Sequence, residues 1–328
     1  MDWLFACAGL VILLLAGDVL VRGAVNISLR LGVPALIVSL TVVAFGTSAP
    51  ELLISVQAVR EGVPGLALGN VVGSNTANIL LVLGVPAMIF GLRTGGCRPR
   101  KSYLLMLFST LLFIAVCYLG PITWVHGMIL LAALGLVLSD NFLDARRTRR
   151  RNGDNTNTEN DDDSAGTVEE EIDLEGVDIH MPWWQIGLFT VLGLVGLPLG
   201  ADLLVSGASS IARDFGVSEA VIGLTLVAIG TSLPELATSA MAARKDHADV
   251  ALGNVIGSNM FNLLAIIGVA SFFGHIPVPG SMLHFDLWVM LAASAIILPL
   301  IFLRWNITRY GGLLLTGFYA IYIGLVLT

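Results

Sequence analysis

GTSAPELLIS, running from Gly46 to Ser55, recurs as GTSLPELATS from Gly230 to Ser239. The GNVVGSNTAN that follows at Gly69–Asn78 recurs as GNVIGSNMFN at Gly253–Asn262. Sliding the chain by 184 positions aligns 32–84 with 216–268 without a gap, and 26 of the 53 positions are identical. The match reaches upstream, where Asp18, Gly23 and Ala24 face Asp202, Gly207 and Ala208. A duplicated scaffold that only packs helices would preserve small and apolar residues. It gives no reason to keep Glu, Asn, Thr and Ser inside segments this apolar.

The surrounding composition sets the solvent. Of 328 residues, 56% are apolar and 12% charged, with a mean hydropathy of +0.86; soluble domains carry roughly 25% charged residues. This excludes a water-soluble globule, a disordered chain and a basic nucleic-acid binder. An integral membrane protein remains. A spanning helix needs about 20 apolar residues, and ten segments qualify: 3–29, 34–59, 66–91, 102–119, 122–143, 183–211, 218–243, 249–273, 285–304 and 308–327. The N-terminus lacks the basic stretch of a cleaved signal peptide, so 3–29 is expected to be a retained span. Cys7, Cys97 and Cys117 have no metal or disulfide spacing and are expected to be inert packing residues.

Residues 144–181 hold five basic and twelve acidic groups, which account for the whole net charge of −7. This stretch is expected to be a flexible linker between a first repeat of five spans (1–143) and a second (182–328). Lys and Arg mark the cytoplasmic side. Fourteen of them fall in the connections that share the linker's side, and only Arg60 and Arg213 fall opposite. Both termini are therefore expected outside and the linker in the cytoplasm. Five spans separate matched positions, and five is odd, so the repeats are inverted. The expected fold is all-α, ten transmembrane helices in two inverted five-helix repeats, an architecture that binds substrate near the midplane at the repeat interface.

Glu51 and Glu235 sit mid-span, where a charge costs at least ~2.5–3.5 kcal/mol on insertion scales, and neither segment offers a nearby Lys or Arg. A bound cation is the expected countercharge. Thr47 and Ser48 lie four and three residues before Glu51, and Thr231 and Ser232 repeat this before Glu235. On a helix these converge on one face. In the following spans Ser74 and Asn78 are four apart, as are Ser258 and Asn262. All of these side chains supply oxygen and none supplies sulfur or imidazole, which selects hard ions such as Ca²⁺ or Na⁺. Pro50 and Pro234 remove the donors for the Gly46 and Gly230 carbonyls, so a kink beside each Glu is expected to free backbone oxygen as well. Two carboxylates balance one Ca²⁺. Its 6–8 oxygen ligands require both repeats, and Na⁺ ions on the same oxygens would exclude it.

These motifs resemble those of the cation/Ca²⁺ exchanger superfamily, most closely the short prokaryotic Na⁺/Ca²⁺ exchangers, over nearly the whole chain. The resemblance implies an antiporter of the inner membrane that exchanges three Na⁺ for one Ca²⁺ by alternating access, with Ca²⁺ extruded. It implies that Glu51 and Glu235 are the central Ca²⁺ ligands and that Thr47, Ser48, Thr231, Ser232, Ser74 and Ser258 complete the Ca²⁺ and Na⁺ sites. The carbonyls of Ala44 and Ala228 would serve Na⁺. Some members, the K⁺-dependent ones included, carry Asp where this chain has Asn262, which argues against K⁺ dependence. The alternatives are an H⁺/Ca²⁺ antiporter of the same superfamily, whose motif is typically GNxxE, and a Ca²⁺ channel. No enzyme motif appears. No cofactor, nucleic acid or obligate protein partner is expected; Ca²⁺ and Na⁺ are substrates, and the bilayer is the surroundings.

The first and sixth spans are rich in glycine (Gly9, Gly17, Gly23; Gly193, Gly196, Gly200, Gly207), which suits both tight packing and sliding; the resemblance favours sliding. Asp161–Gly166 imitates the start of an EF-hand, but Ala165 and Ile172 stand where ligands belong. The five histidines are scattered. Asn26-Ile27-Ser28 and Asn306-Ile307-Thr308 match glycosylation acceptors, which carry no meaning in the prokaryotic setting that the resemblance implies. Asp18 and Asp202 are either polar anchors or neighbours of an ion path.

Overall fold

The computed structural model describes residues 2–94, 97, 99–158, 181–216 and 228–327, the side chains of 147–158, 228 and 327 aside. Among them there is no strand. The helices are α1 (Asp2–Leu31), α2 (Ala35–Thr47), α3 (Ala49–Arg60), α4 (Pro64–Phe90), α5 (Arg100–Tyr118), α6 (Trp124–Thr158), α7 (Trp183–Asp214), the short α8 (Ala228–Gly230), α9 (Leu233–Arg244), α10 (Ala248–Ala270), α11 (Met282–Phe302) and α12 (Arg309–Leu327). Eight of these are long and apolar enough to cross a membrane. The pair α2 and α3, bent by 43° at their junction, makes a ninth. Of the expected span 218–243, residues 218–227 lie outside the described residues, and the rest is α8, a turn and α9.

The molecule is turned inside out relative to a soluble protein. Burial covers 94% of the apolar window of α10 and 72% of that of α4, against 17% for α12, so α4 and α10 form the centre. Both carry Asn and Ser on their buried surface: Ser74, Asn75, Asn78, Asn254, Ser258, Asn259 and Asn262 are all at or below 4% exposure. Leu, Phe and Ile populate the outside. Trp183, Trp184, Trp305 and Tyr310 are exposed near helix ends, where amphipathic rings favour the headgroup region. Both central helices open into a π turn at matched places, Asn78–Val82 in α4 and Phe261–Ile266 in α10.

Helices α1 and α7 form the most extensive helix pair. Glycine permits the approach: a Cβ on Gly200 would stand 2.8 Å from the Leu13 backbone nitrogen, and one on Gly207 2.6 Å from that of Ala6. The loops are tied at two places by backbone pairs. Leu92 and Ile307 exchange hydrogen bonds at 2.9 and 3.0 Å, and Ile122 and Ile276 at 2.8 and 2.9 Å.

One expectation about the linker needs correction. The expected fifth span, α6, does not stop at residue 143 but runs on to Thr158, so the arginine cluster placed in a flexible linker is helical in its first part. Ala145 through Arg151 are mostly strong helix formers, and no Gly or Pro interrupts them before Gly153. Lys101 fastens the start of this extension through Asp140 and Asp144, at 2.7 and 2.5 Å. Residues 159–180, with the EF-hand-like stretch, lie outside the described residues.

Candidate ion-binding site

The two breaks are built alike. Helix α2 ends at Thr47; Ser48, at φ −86° and ψ 4°, precedes α3, and Pro50 falls in the first turn of the new helix. In the second half Ser232, at φ −88° and ψ 2°, precedes α9, with Pro234 in the matching place. Proline is tolerated there because first-turn N–H groups need no helical partner. The expected kinked helix is therefore two helices. The carbonyls at the first break are also not bare. The Ser48 N–H turns onto those of Ala44 and Gly46, and Ala44 accepts a further bond from Thr47 Oγ1 at 3.3 Å. Ala228 begins α8, the equivalent piece of the second half.

Restarting the helix places Glu51 and Glu235 in the first turn of α3 and α9, where the helix dipole favours a carboxylate. They are 1% and 0% exposed, within mutual electrostatic reach, and paired with no Lys or Arg among the described residues. The halves meet here: Ser48 of the first repeat donates to Glu235 Oε1 at 3.2 Å, and Ser258 reaches the same oxygen at 3.5 Å. Thr47 adjoins Ser258 at 3.5 Å and Asn254 at 3.3 Å. Thr47, Ser48, Glu235 and Ser258 are thus brought into one cluster. Ser74, Ser232, Asn78 and Asn262 are buried at their matched positions, and Thr231 occupies the turn before α9.

Several buried oxygens of this set have no hydrogen-bond partner among the described residues: both of Glu51, Oε2 of Glu235, Oγ of Ser232, and Oδ1 of Asn78 and of Asn262. Burying a carboxylate with nothing opposite is prohibitive unless an ion or proton satisfies it. Among the described residues no three His, Cys, Asp or Glu gather at one place, so the donors around the two carboxylates are neutral hydroxyls and amides. Oxygens of that kind suit a hard cation.

Reading the sequence missed the braces behind this set. Asn70 Nδ2 donates to the Glu51 carbonyl at 3.5 Å and to Ser55 at 3.2 Å; Asn254 Nδ2 does the same to the Glu235 carbonyl and Ser239, both at 3.3 Å. Their signal was present, since each is an identical polar residue in both apolar repeats. Asn259 was missed as well; its Oδ1 accepts from Asn78 Nδ2 at 3.0 Å. Asp18 proves to be a polar anchor. It accepts a hydrogen bond from Arg22 at 2.8 Å and makes a close ion contact with the buried Lys245 at 2.7 Å, while its repeat mate Asp202 is exposed.

The family model described as sodium/calcium exchanger protein matches residues 1–139 and 185–328. The chain is 32% identical to the sodium/calcium exchanger MaX1 of Methanosarcina acetivorans, covering 98% of this chain and 97% of that one. It is 32% identical to the inner membrane protein YrbG of Escherichia coli, with 97% and 94% covered. A solved structure of the sodium-calcium exchanger NCX_Mj, soaked with zero Na⁺ and Ca²⁺, superposes with a TM-score of 0.78 at 30% identity, covering 99% of this chain and 98% of that one. A structure of the same exchanger soaked with 2.5 mM Na⁺ and 1 mM Sr²⁺ gives 0.79 at 30% identity, with 98% and 97% covered. This all-helical membrane protein belongs to the sodium/calcium exchanger family.

Proposed function

We propose that the chain is a secondary antiporter that exchanges Na⁺ for Ca²⁺ by alternating access and extrudes Ca²⁺, through ten spans in two inverted repeats. The observation that carries this reading is the pair of buried carboxylates, Glu51 and Glu235, surrounded by neutral oxygens and left without a basic partner. One Ca²⁺ balances their charge. Na⁺ ions on the same oxygens balance it too, and the two occupancies exclude each other. Ligands are drawn from Thr47, Ser48, Ser74, Asn78, Thr231, Ser232, Ser258 and Asn262 in addition to the carboxylates. Ala228 keeps a carbonyl role, and Ala44 serves Na⁺ only if its carbonyl lets go of Thr47.

The inverted topology is supported by which loops touch. Arg30 reaches the Met181 carbonyl at 2.7 Å, Arg93 meets Asp246 at 3.0 Å, and Leu92 pairs with Ile307. All of these belong to connections assigned to the cytoplasm. Ile122 and Ile276 pair in connections assigned to the outside. Both termini then face outward and the 144–181 segment lies in the cytoplasm.

The test is Ca²⁺ uptake by Na⁺-loaded vesicles containing the purified protein. An outward Na⁺ gradient is expected to drive uptake, and Glu51→Gln and Glu235→Gln each to abolish it. Uptake driven by a pH gradient without Na⁺ would establish proton coupling instead, and uptake without any counter-ion would establish a channel. Activity in either Gln variant would remove the ligand assignment.

A further inference from the structure

One amide in the centre of the molecule is held in a way that ligation by itself does not require. A backbone carbonyl only accepts hydrogen bonds, so the Asn75 carbonyl, 3.3 Å from Asn259, identifies the near end of that side chain as Nδ2. The far end, Oδ1, therefore faces Asn78 and accepts its Nδ2 at 3.0 Å. Asn78 is left with its own Oδ1 turned away from Asn259, buried and without a protein partner. The chain of orientation runs from a backbone oxygen of α4, through a side chain of α10, back to a side chain of α4.

The repeat mates are arranged differently. Asn75 spends its Nδ2 on the Val71 carbonyl of its own helix, at 2.7 Å, and neither amide atom of Asn262 has a partner among the described residues. One of the two matched amides is fixed and the other is not. We infer that Asn259 is a positioning residue for cation binding: it does not touch the ion but holds the Asn78 carbonyl oxygen toward it. Without Asn259, the Asn78 Nδ2 loses its acceptor and nothing holds the Asn78 Oδ1 outward, so the orientation that serves the cation is no longer the favoured one. This inference rests on the ligand set proposed above. Groups that orient metal ligands are typically worth 10–100-fold in affinity.

The experiment is a cycle of equilibrium Ca²⁺ titrations on detergent-purified full-length protein. Asn259→Ala is expected to weaken Ca²⁺ binding about ten- to a hundredfold. In an Asn78→Asp background both ends of side chain 78 are oxygen, so its orientation no longer matters, and adding Asn259→Ala is expected to change affinity less than threefold. An equal loss in both backgrounds, or no loss in the first, overturns the inference. If Asn259→Ala does not fold, Asn259→Ser, which is too short to bridge both partners, takes its place in the cycle. Glu51→Gln is titrated alongside: if it binds Ca²⁺ normally the ligand set itself fails, whereas loss of binding there leaves the ligand set standing and confines the outcome of the cycle to Asn259.

Discussion

Removing the charge of Asp18 should harm the protein more than removing the charge it faces. Lys245 Nζ lies 2.7 Å from Asp18 Oδ1 as a close ion contact, and the lysine side chain is 1% exposed. Asp18 is 17% exposed and keeps a second partner, Arg22, at 2.8 Å. Asp18→Asn therefore strands a buried ammonium, a change worth about 3–5 kcal/mol. The low end applies, because the amide oxygen keeps a dipole close to the ammonium and Lys245 sits at the C-terminal end of α9, where the helix dipole favours a cation. Lys245→Met leaves a carboxylate that is partly solvated and still paired, which makes about 1 kcal/mol the expected loss. The double variant removes both charges and should be more stable than Asp18→Asn alone. Thermal unfolding in detergent reads all three. A loss of 3 kcal/mol corresponds to roughly 6–12 °C by the scaling for domains of 150–250 residues. A melting temperature for Asp18→Asn within 2 °C of the parent, or a larger drop for Lys245→Met, would refute the reasoning.

Other outcomes follow from single contacts. Tyr103, fully buried on α5, donates to the Ser294 carbonyl of α11 at 2.9 Å; Tyr103→Phe should lower stability by about 1–2 kcal/mol, and an unchanged denaturation midpoint would exclude that bond's contribution. A side chain at Gly200 collides with the backbone of α1. Gly200→Leu is expected to slow vesicle exchange while Ca²⁺ binding holds, whereas equal loss of both would assign the glycine a folding role. Burial, reinforced by the charge of Asp249, pushes the Cys97 thiol up to about 11. A raised thiol pKa means the neutral form persists above pH 9, so in a Cys7→Ser, Cys117→Ser background the alkylation rate should keep climbing about tenfold per pH unit to pH 10. A plateau below pH 9.5 contradicts that environment.

Much of this was legible in the residues alone. The 184-residue offset picked out Glu51 and Glu235 because intramembrane carboxylates are expensive and recurred together, and eight helices plus the bent α2–α3 pair fall on segments read from hydropathy. What escaped reading depends on three-dimensional placement. Proline chemistry announces a disruption at Pro50, but whether a helix bends or ends and restarts depends on Ser48, whose backbone geometry follows from packing. Asn70 and Asn254 are repeated polar residues like the ligands, and only the contact to a backbone carbonyl marks them as braces. Lys245 looked like one more cytoplasmic charge at a span end; its near-complete burial against Asp18 arises from α1 crossing α9, which no local pattern encodes. The arginine cluster was misread because charge was taken for disorder, although arginine also propagates a helix.

The ion pair between α1 and α9 also makes the two halves unequal partners. The residue at the Lys245 place in the first half is Glu61, which is hydrogen-bonded to Gln57. A protein assembled from two first halves would set a glutamate opposite each Asp18. One assembled from two second halves would offer each Asp202 a lysine. The cation that neutralises Asp18 from across the repeat is thus supplied by the second half alone, and the matched position of the first half carries the opposite sign.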